Sequence, residues 1–172
     1  MTAVRIATRQ DEPGLVKLLH MMHAESGMFD LDEREMRATF ARAFDRQGGL
    51  IGVIGASENI EAALYLLISR FWYTTQNHLE DLFNFVRPDC RKTNYADLLL
   101  AFGKDCSDKI GIPLVLGVLT NKRVEAKVRL YRRKLGMPVG AVFVYNAHWV
   151  SDAASDDVWK IHSRGRHAMN GG

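Results

Sequence analysis

Apolar and polar residues alternate and repeat along this chain in a way that predicts its elements in order. Val4 and Ile6, with Thr8 as a third step, have the period of a short strand. Leu15, Leu18, Leu19 and Met22 recur at helical spacing from about Glu12, with Pro13 tolerated in the first turn. Met36, Phe40, Ala43 and Phe44 mark a second helix, stopped by Gly48-Gly49. Leu50–Ala56 and Ile60–Tyr73 read as two strands of a hairpin turning through Ser57-Glu58-Asn59. A strand over 79–86 and a helix over 92–109 come next. Ile112–Leu119 is apolar enough for a buried, parallel-type strand. A basic helix over about 122–135 and a last strand at Val139–Tyr145 complete the string β-α-α-β-β-β-α-β-α-β.

The segment from Glu80 to Ala96 carries the first chemical signal. Phe83, Phe85 and Val86 read as the end of a buried strand, and Pro88 ends pairing because it has no N–H to donate. From Tyr95 the apolar residues Tyr95, Leu98, Leu99, Phe102 and Cys106 define a helix packed on one face. A polar turn with Arg87, Arg91 and Lys92 lies between. The unsatisfied N–H groups and positive dipole end of such a helix suit a phosphate or pyrophosphate.

Val86-Arg87-Pro88 followed by Arg91-Lys92-Thr93-Asn94-Tyr95-Ala96 resembles the acyl-CoA motif of the GNAT superfamily of N-acetyltransferases, Val-x-Pro then Arg/Gln-x-x-Gly-x-Gly/Ala. Arg91 and Ala96 match it, and Asn94 replaces the first glycine; Asn is the non-glycine residue most tolerant of positive φ. Tyr131-Arg132-Arg133-Lys134-Leu135-Gly136-Met137 is similar to the same family's Tyr-x-x-x-Leu-Gly-Phe signature. The resemblance covers about residues 3–146. It implies the acyl-CoA N-acyltransferase fold: an α/β (α+β) architecture with a mixed, mostly antiparallel central sheet and helices on both faces. It also implies acetyl-CoA as cosubstrate, in a V-shaped opening between the fourth and fifth strands. Its contacts would come from Phe85, Val86, Arg87, Arg91, Lys92, Thr93, Asn94, Tyr95, Ala96 and Asn121.

The resemblance gives Tyr131 the role of protonating the departing thiolate, which a phenol with a pKa near ~10 can do at neutral pH. Val124, Val128, Tyr131 and Leu135 also form a helical stripe, so a core role stands beside the catalytic one. Asn121, ten residues before Tyr131, corresponds to an Asn that contacts the cofactor in relatives; as a residue it equally suits a helix N-cap, as does Thr120. Acetyl transfer to an amine needs a base, because a protonated amine has no lone pair. Glu80 and Asp81 are the candidates, on opposite faces of their strand. Glu80, sharing a face with Leu82, Asn84 and Val86, comes first; a solvated carboxylate is the alternative for either.

Composition narrows the class further. A chain of 172 residues with 47% hydrophobic content suits one domain with a core. No apolar run reaches the ~20 residues of a membrane span, and Arg5, Arg9, Asp11 and Glu12 interrupt any signal-peptide core. Cys90 and Cys106 lack metal spacing and suggest reduced thiols in a cytoplasmic protein. The net charge of +3 does not call for nucleic acid but favours an anionic cofactor.

Other patterns have simpler explanations. Gly49, Gly52 and Gly55 lack phosphate-loop spacing and mark a turn and tight places in a strand. His20 and His23 near Glu25 lack a second ligand cluster. The cations from Arg123 to Lys134 read as a solvated helix face. A domain over 1–146 and an extension over 147–172, mobile or docked to a partner, follow from composition. The resulting expectation is an N-acetyltransferase acting on an amine by direct attack, with a homodimer compatible. The alternative is a degenerate, non-catalytic member binding acyl-CoA or a protein. In this fold the acceptor site would use the first two helices and their loop, about 26–33, with the strand at 65–75. Met28, Phe29, Phe71, Trp72 and Tyr73 would line it, beside Glu25, Asp30, Asp32 and Glu33.

Overall fold

The computed structural model describes residues 3–120 and 122–145. These fall into two compact units: residues up to Met22 with Leu31–Gly117, and His23–Asp30 with the residues from Val118 onward.

The first unit is built on a five-stranded sheet in the order β1 (Arg5–Ile6), β2 (Gly49–Ala56), β3 (Asn59–Ser69), β4 (His78–Val86), β5 (Leu114–Val115). Neighbours are antiparallel except β4 and β5, which are parallel. The sheet is therefore mixed and mostly antiparallel, as expected. Side chains alternate across a strand, and here that alternation sorts residues into two cores. Ile51, Val53, Ala63, Tyr65 and Phe85 pack with α1 (Glu12–Ser26) and α2 (Glu33–Phe44). Ile54, Ala62, Leu64, Leu66 and Leu79 pack with α3 (Tyr95–Ile110) on the other face. Residues Ala62–Leu66 of β3 are buried without a break, the signature of a strand covered on both sides.

Local chemistry sets the boundaries. The Asp32 carboxylate caps α2, accepting from the N–H groups of Arg34 at 2.9 Å and Glu35 at 3.2 Å. Gly111, at φ 71°, ends α3 in the left-handed region. The expected tight places are real: a Cβ at Gly52 would run into the Phe102 ring of α3, and Gly55 sits at φ 109° beside a register shift. Asp11 is fully buried, and Arg5 grips its two oxygens at 2.6 and 2.8 Å. The Thr8 N–H donates to the same carboxylate at 2.8 Å. The Arg5 hydrogen bonds outweigh burial and hold Asp11 far below the usual carboxylate range.

Three expectations are corrected. β3 ends at Ser69 instead of continuing to Tyr73, because Phe71 leaves the ladder to stack on Tyr73 and His78. β5 covers only Leu114–Val115 of the expected 112–119: Pro113 has no N–H, and the Gly117 N–H turns to a side chain. Val139–Tyr145 is no strand. Its alternating side chains are present, but Val139, Val142, Phe143 and Tyr145 are exposed and no strand follows residue 135 among the described residues. A pattern supplies side chains; a strand also needs a hydrogen-bonding edge.

The second unit contains α4 (Val124–Leu135), ended by Gly136 at φ 105°. Arg132, Arg133 and Lys134 occupy its last turn, where cations complement the helix dipole. The Ser26 and Thr120 hydroxyls meet at 2.8 Å, and His23 Nε2 lies 2.6 Å from the Phe29 carbonyl oxygen. Residues of the proposed tail from 147 lie outside the described residues. Among the described residues no helix is long and apolar enough to cross a membrane.

Candidate active site

β4 is held unequally on its two sides. Toward β3 it is paired from His78↔Ser69 to Val86↔Ala62. Toward β5 the pairing is confined to Leu79↔Leu114 and Glu80↔Val115. One residue later the Asp81 carboxylate accepts the Gly117 N–H at 2.7 Å, a side chain standing in for the next rung. Beyond it, no strand lies along the outer edge of β4 among the described residues. That stretch of β4 therefore has no described strand beside it, and the Val86 carbonyl on it accepts from Arg91 at 3.2 Å.

A register shift between Tyr65 and Leu66 marks a bulge in β4. Tyr65 faces Phe83 and Leu66 faces Asp81, so Leu82 is the extra residue. The bulge overturns the expected facing of Glu80. Its cross-strand partner is Leu67, which packs on the α1/α2 core, so Glu80 shares a face with Phe83 and Phe85, not with Asn84 and Val86. Glu80 is half-exposed, with Oε2 3.7 Å from Nε2 of buried His78. Asp81 does point to the opposite face, as expected, but its carboxylate is engaged by Gly117.

The open edge runs into the predicted turn. Arg87 donates its N–H to the Glu61 carbonyl at 2.9 Å. Its guanidinium is spent on the turn itself, reaching Asn59 Oδ1 at 2.5 Å, Asp89 Oδ1 at 2.7 Å and Cys90 Sγ at 3.6 Å. Cys90 is buried, which pushes its thiol up. Arg91 donates to the Val86 carbonyl at 3.2 Å, with its guanidinium 5.4 Å from the centre of the Phe85 ring. Phe85 and Val86 thus orient Arg91 from below.

Helix α3 starts at Tyr95, not at 92, because residues 91–94 form a separate turn. Thr93 Oγ1 donates to the Cys90 carbonyl at 2.6 Å and accepts the Tyr95 N–H at 3.3 Å. The Tyr95 hydroxyl donates to Glu61 Oε2 at 2.7 Å, anchoring the helix start on β3. Asn94 has φ −88° and ψ 15°, so this position makes no demand for positive φ, and its side chain forms no cap. Lys92 is exposed, and Ala96 is half-buried in the first turn. The turn brings Arg87, Arg91, Lys92, Thr93, Asn94, Tyr95 and Ala96 together at the end of the open edge. Asp97 in the same helical turn already partly answers the dipole.

Tyr131 belongs to the second unit, where it is 8% exposed on α4. Asn121 lies outside the described residues. Phe71, Trp72 and Tyr73 form an exposed stack on the β3–β4 loop; Trp72 is 95% exposed.

One feature was missed in the sequence: a hollow of about 330 Å³ on the α1/α2 face, whose lining includes Met22, Leu31, Glu35, Tyr65, Leu82 and Phe83. Its floor is the bulge. Strict alternation puts Leu79, Asp81, Phe83 and Phe85 on one face, and the charge at 81 within that apolar set was the available clue.

No family model and no curated protein sequence matches the chain. Solved structures do. AAC(6')-Iy, determined with the bisubstrate analogue CoA-S-monomethyl-acetylneamine, matches with a TM-score of 0.67 at 10% identity, over 86% of this chain and 99% of its own. Ribosomal-protein-alanine N-acetyltransferase from Brucella melitensis biovar Abortus 2308 matches at 0.64 and 13% identity, over 85% and 99%. Glucosamine-6-phosphate N-acetyltransferase from Arabidopsis thaliana matches at 0.62 and 18% identity, over 85% and 97%. The chain has the GNAT acyl-CoA N-acyltransferase fold. Two of these neighbours, matched across near their full lengths, are N-acetyltransferases, and the third was determined with a CoA bisubstrate analogue.

Proposed function

We propose that this protein is an N-acetyltransferase that moves an acetyl group from acetyl-CoA to an amine. The observation that carries this reading is the open edge of β4 leading into the cationic turn and the first turn of α3. An extended, amide-bearing chain ending in a pyrophosphate matches both parts: it would lie along the stretch of β4 that no described strand covers, and N–H groups with Arg91 and Lys92 would meet the anion. The bisubstrate complex of AAC(6')-Iy supports the choice of CoA.

In the reaction the amine lone pair attacks the thioester carbonyl carbon. A C–N bond forms, the C–S bond breaks, the nitrogen gives up a proton, and the CoA thiolate takes one. Tyr131 is the proposed donor to sulfur, and Asn121 a contact to the cofactor. Glu80 is the proposed acceptor of the amine proton, directly or through water. It is the freer carboxylate, since Asp81 is tied to Gly117.

A non-catalytic, CoA-binding member is the second reading, favoured by the internal use of Arg87 and by Asn94 in place of glycine. Thiol release from acetyl-CoA with a panel of amines separates the two. Calorimetry should give micromolar binding of acetyl-CoA, about −8 kcal/mol. Lys92→Glu, at an exposed site, should weaken it roughly tenfold without lowering the melting temperature. Absent binding, or indifference to that reversal, would sink the assignment of the cofactor turn.

A further inference from the structure

The hollow on the α1/α2 face has the size of a small-ligand pocket, at about 330 Å³. Leu19 and Met22 of α1, Leu31 and Met36 beside them, and Leu82 and Phe83 of the bulge make most of its wall. Its polar residues are few. The Tyr65 hydroxyl is already committed to the Thr39 carbonyl at 3.0 Å, and the Asp32 carboxylate caps α2. Both charged residues in the lining, Asp32 and Glu35, are acidic, and neither lysine nor arginine contributes to it. Glu35 is exposed and stands in the first turn of α2.

The position of the hollow ties it to the chemistry. Leu82 and Phe83 follow directly on Asp81, the residue at which β4 and β5 part. The same bulge is thus the floor of the hollow and the start of the open edge. A ligand seated in the hollow lies on the strand along which the proposed thioester would run.

We infer that the hollow receives an apolar primary amine: a ring or short alkyl body against Met22, Leu82 and Phe83, with its ammonium group drawn by Glu35. The inference deepens the acetyltransferase reading by naming the class of acceptor. A polyhydroxylated amine is disfavoured because its hydroxyls would lose water without gaining partners in this wall. A neutral apolar ligand gains the wall but not the charge, so the ammonium group distinguishes the class.

2-Phenylethylamine is the probe and glucosamine the control, each measured in two ways on the full chain. Calorimetry without CoA reads the hollow alone; thiol release with acetyl-CoA reads transfer. 2-Phenylethylamine should bind, and should exceed glucosamine in kcat/KM by at least about tenfold. Leu82→Trp, at a half-exposed position, should fill the hollow and abolish both signals. Glu35→Gln should raise KM several-fold with little change in kcat and no loss of thermal stability. Binding of 2-phenylethylamine that Leu82→Trp removes would support the hollow even if no acetyl moved, and the acetyltransferase reading alone would then fall. Transfer to glucosamine with none to 2-phenylethylamine would overturn the inference and leave that reading standing. Failure of 2-phenylethylamine to bind, or binding indifferent to both substitutions, would also overturn it.

Discussion

The two flanks of β4 form a contrast within one strand. Its β3 side is zipped along nearly the whole strand, with Leu64, Leu66, Ala62 and Ala63 fully buried opposite. Among the described residues, its β5 side is paired only at Leu79 and Glu80 and closed by one carboxylate at Asp81. A ladder that is complete satisfies every backbone group and buries side chains on both faces; a ladder that stops leaves polar groups available. The difference sets an edge whose ladder carries stability against one along which the proposed cofactor would lie, on opposite sides of the same element. Substitutions on the two sides should therefore fail in different ways.

The largest expected effect is on the zipped side. Leu64→Ala removes a buried side chain between β3 and α3 and should cost about 3–4 kcal/mol of stability. Chemical denaturation would measure it, and acetyl-CoA affinity of the surviving folded fraction should hold. Next comes Asp11, at the outer end of the same closed half. Asp11→Asn breaks a buried, doubly hydrogen-bonded pair and should cost about 3 kcal/mol, toward the low end because Arg5 is partly exposed. Because the folded state depresses the Asp11 pKa, its contribution is complete above the unfolded value of about 3.9 and is lost as pH falls below it. Unfolding curves for wild type and Asp11→Asn should draw closer between pH 7 and pH 2.5 without meeting, because the folded-state pKa lies below that window.

Tyr131→Phe should behave in the opposite manner to Leu64→Ala. Turnover should fall at least ~10²-fold, with melting and acetyl-CoA affinity little changed. Unchanged turnover beside a lowered melting point would make Tyr131 a core residue and remove it from the mechanism. The smallest effect is expected at the junction of the two flanks. Asp81→Ala leaves the exposed Gly117 N–H to water and should cost no more than about 1 kcal/mol. If the tie also sets the width of the gap, KM for acetyl-CoA should rise in the same variant.

The contrast also marks what could be read from the amino acids. The zipped half was legible: the unbroken apolar run of β3 and the stripe from Tyr95 to Cys106 both act through near neighbours or a simple period, whereas Asp32, read as a charge at an acceptor mouth, caps α2. The turn from Arg87 to Ala96 was legible for the same reason. What escaped depends on partners distant in sequence. Nothing local states that β5 stops after Val115, or that Leu82 is an extra residue opposite Tyr65 and Leu66. The bulge then inverted the facing of Glu80, since a shift of one position moves a side chain across the sheet. Val139–Tyr145 failed for a related reason, having alternation but no neighbour. The hollow arises only once helices and bulge are assembled.

The single parallel pair in the sheet has a geometric consequence of its own. To run parallel to β4, β5 must begin near the level at which β4 began, so the chain has to travel back the length of the strand, and α3 is that return path. A returning helix necessarily starts where the outgoing strand finished. The electropositive end of α3 and the stretch of β4 without a described strand neighbour are therefore delivered to the same corner by one crossover, whatever residues fill the turn. If the corner holds the proposed anion, side chains such as Arg91 and Asn94 would adjust how well; the route of the chain is what put the corner there.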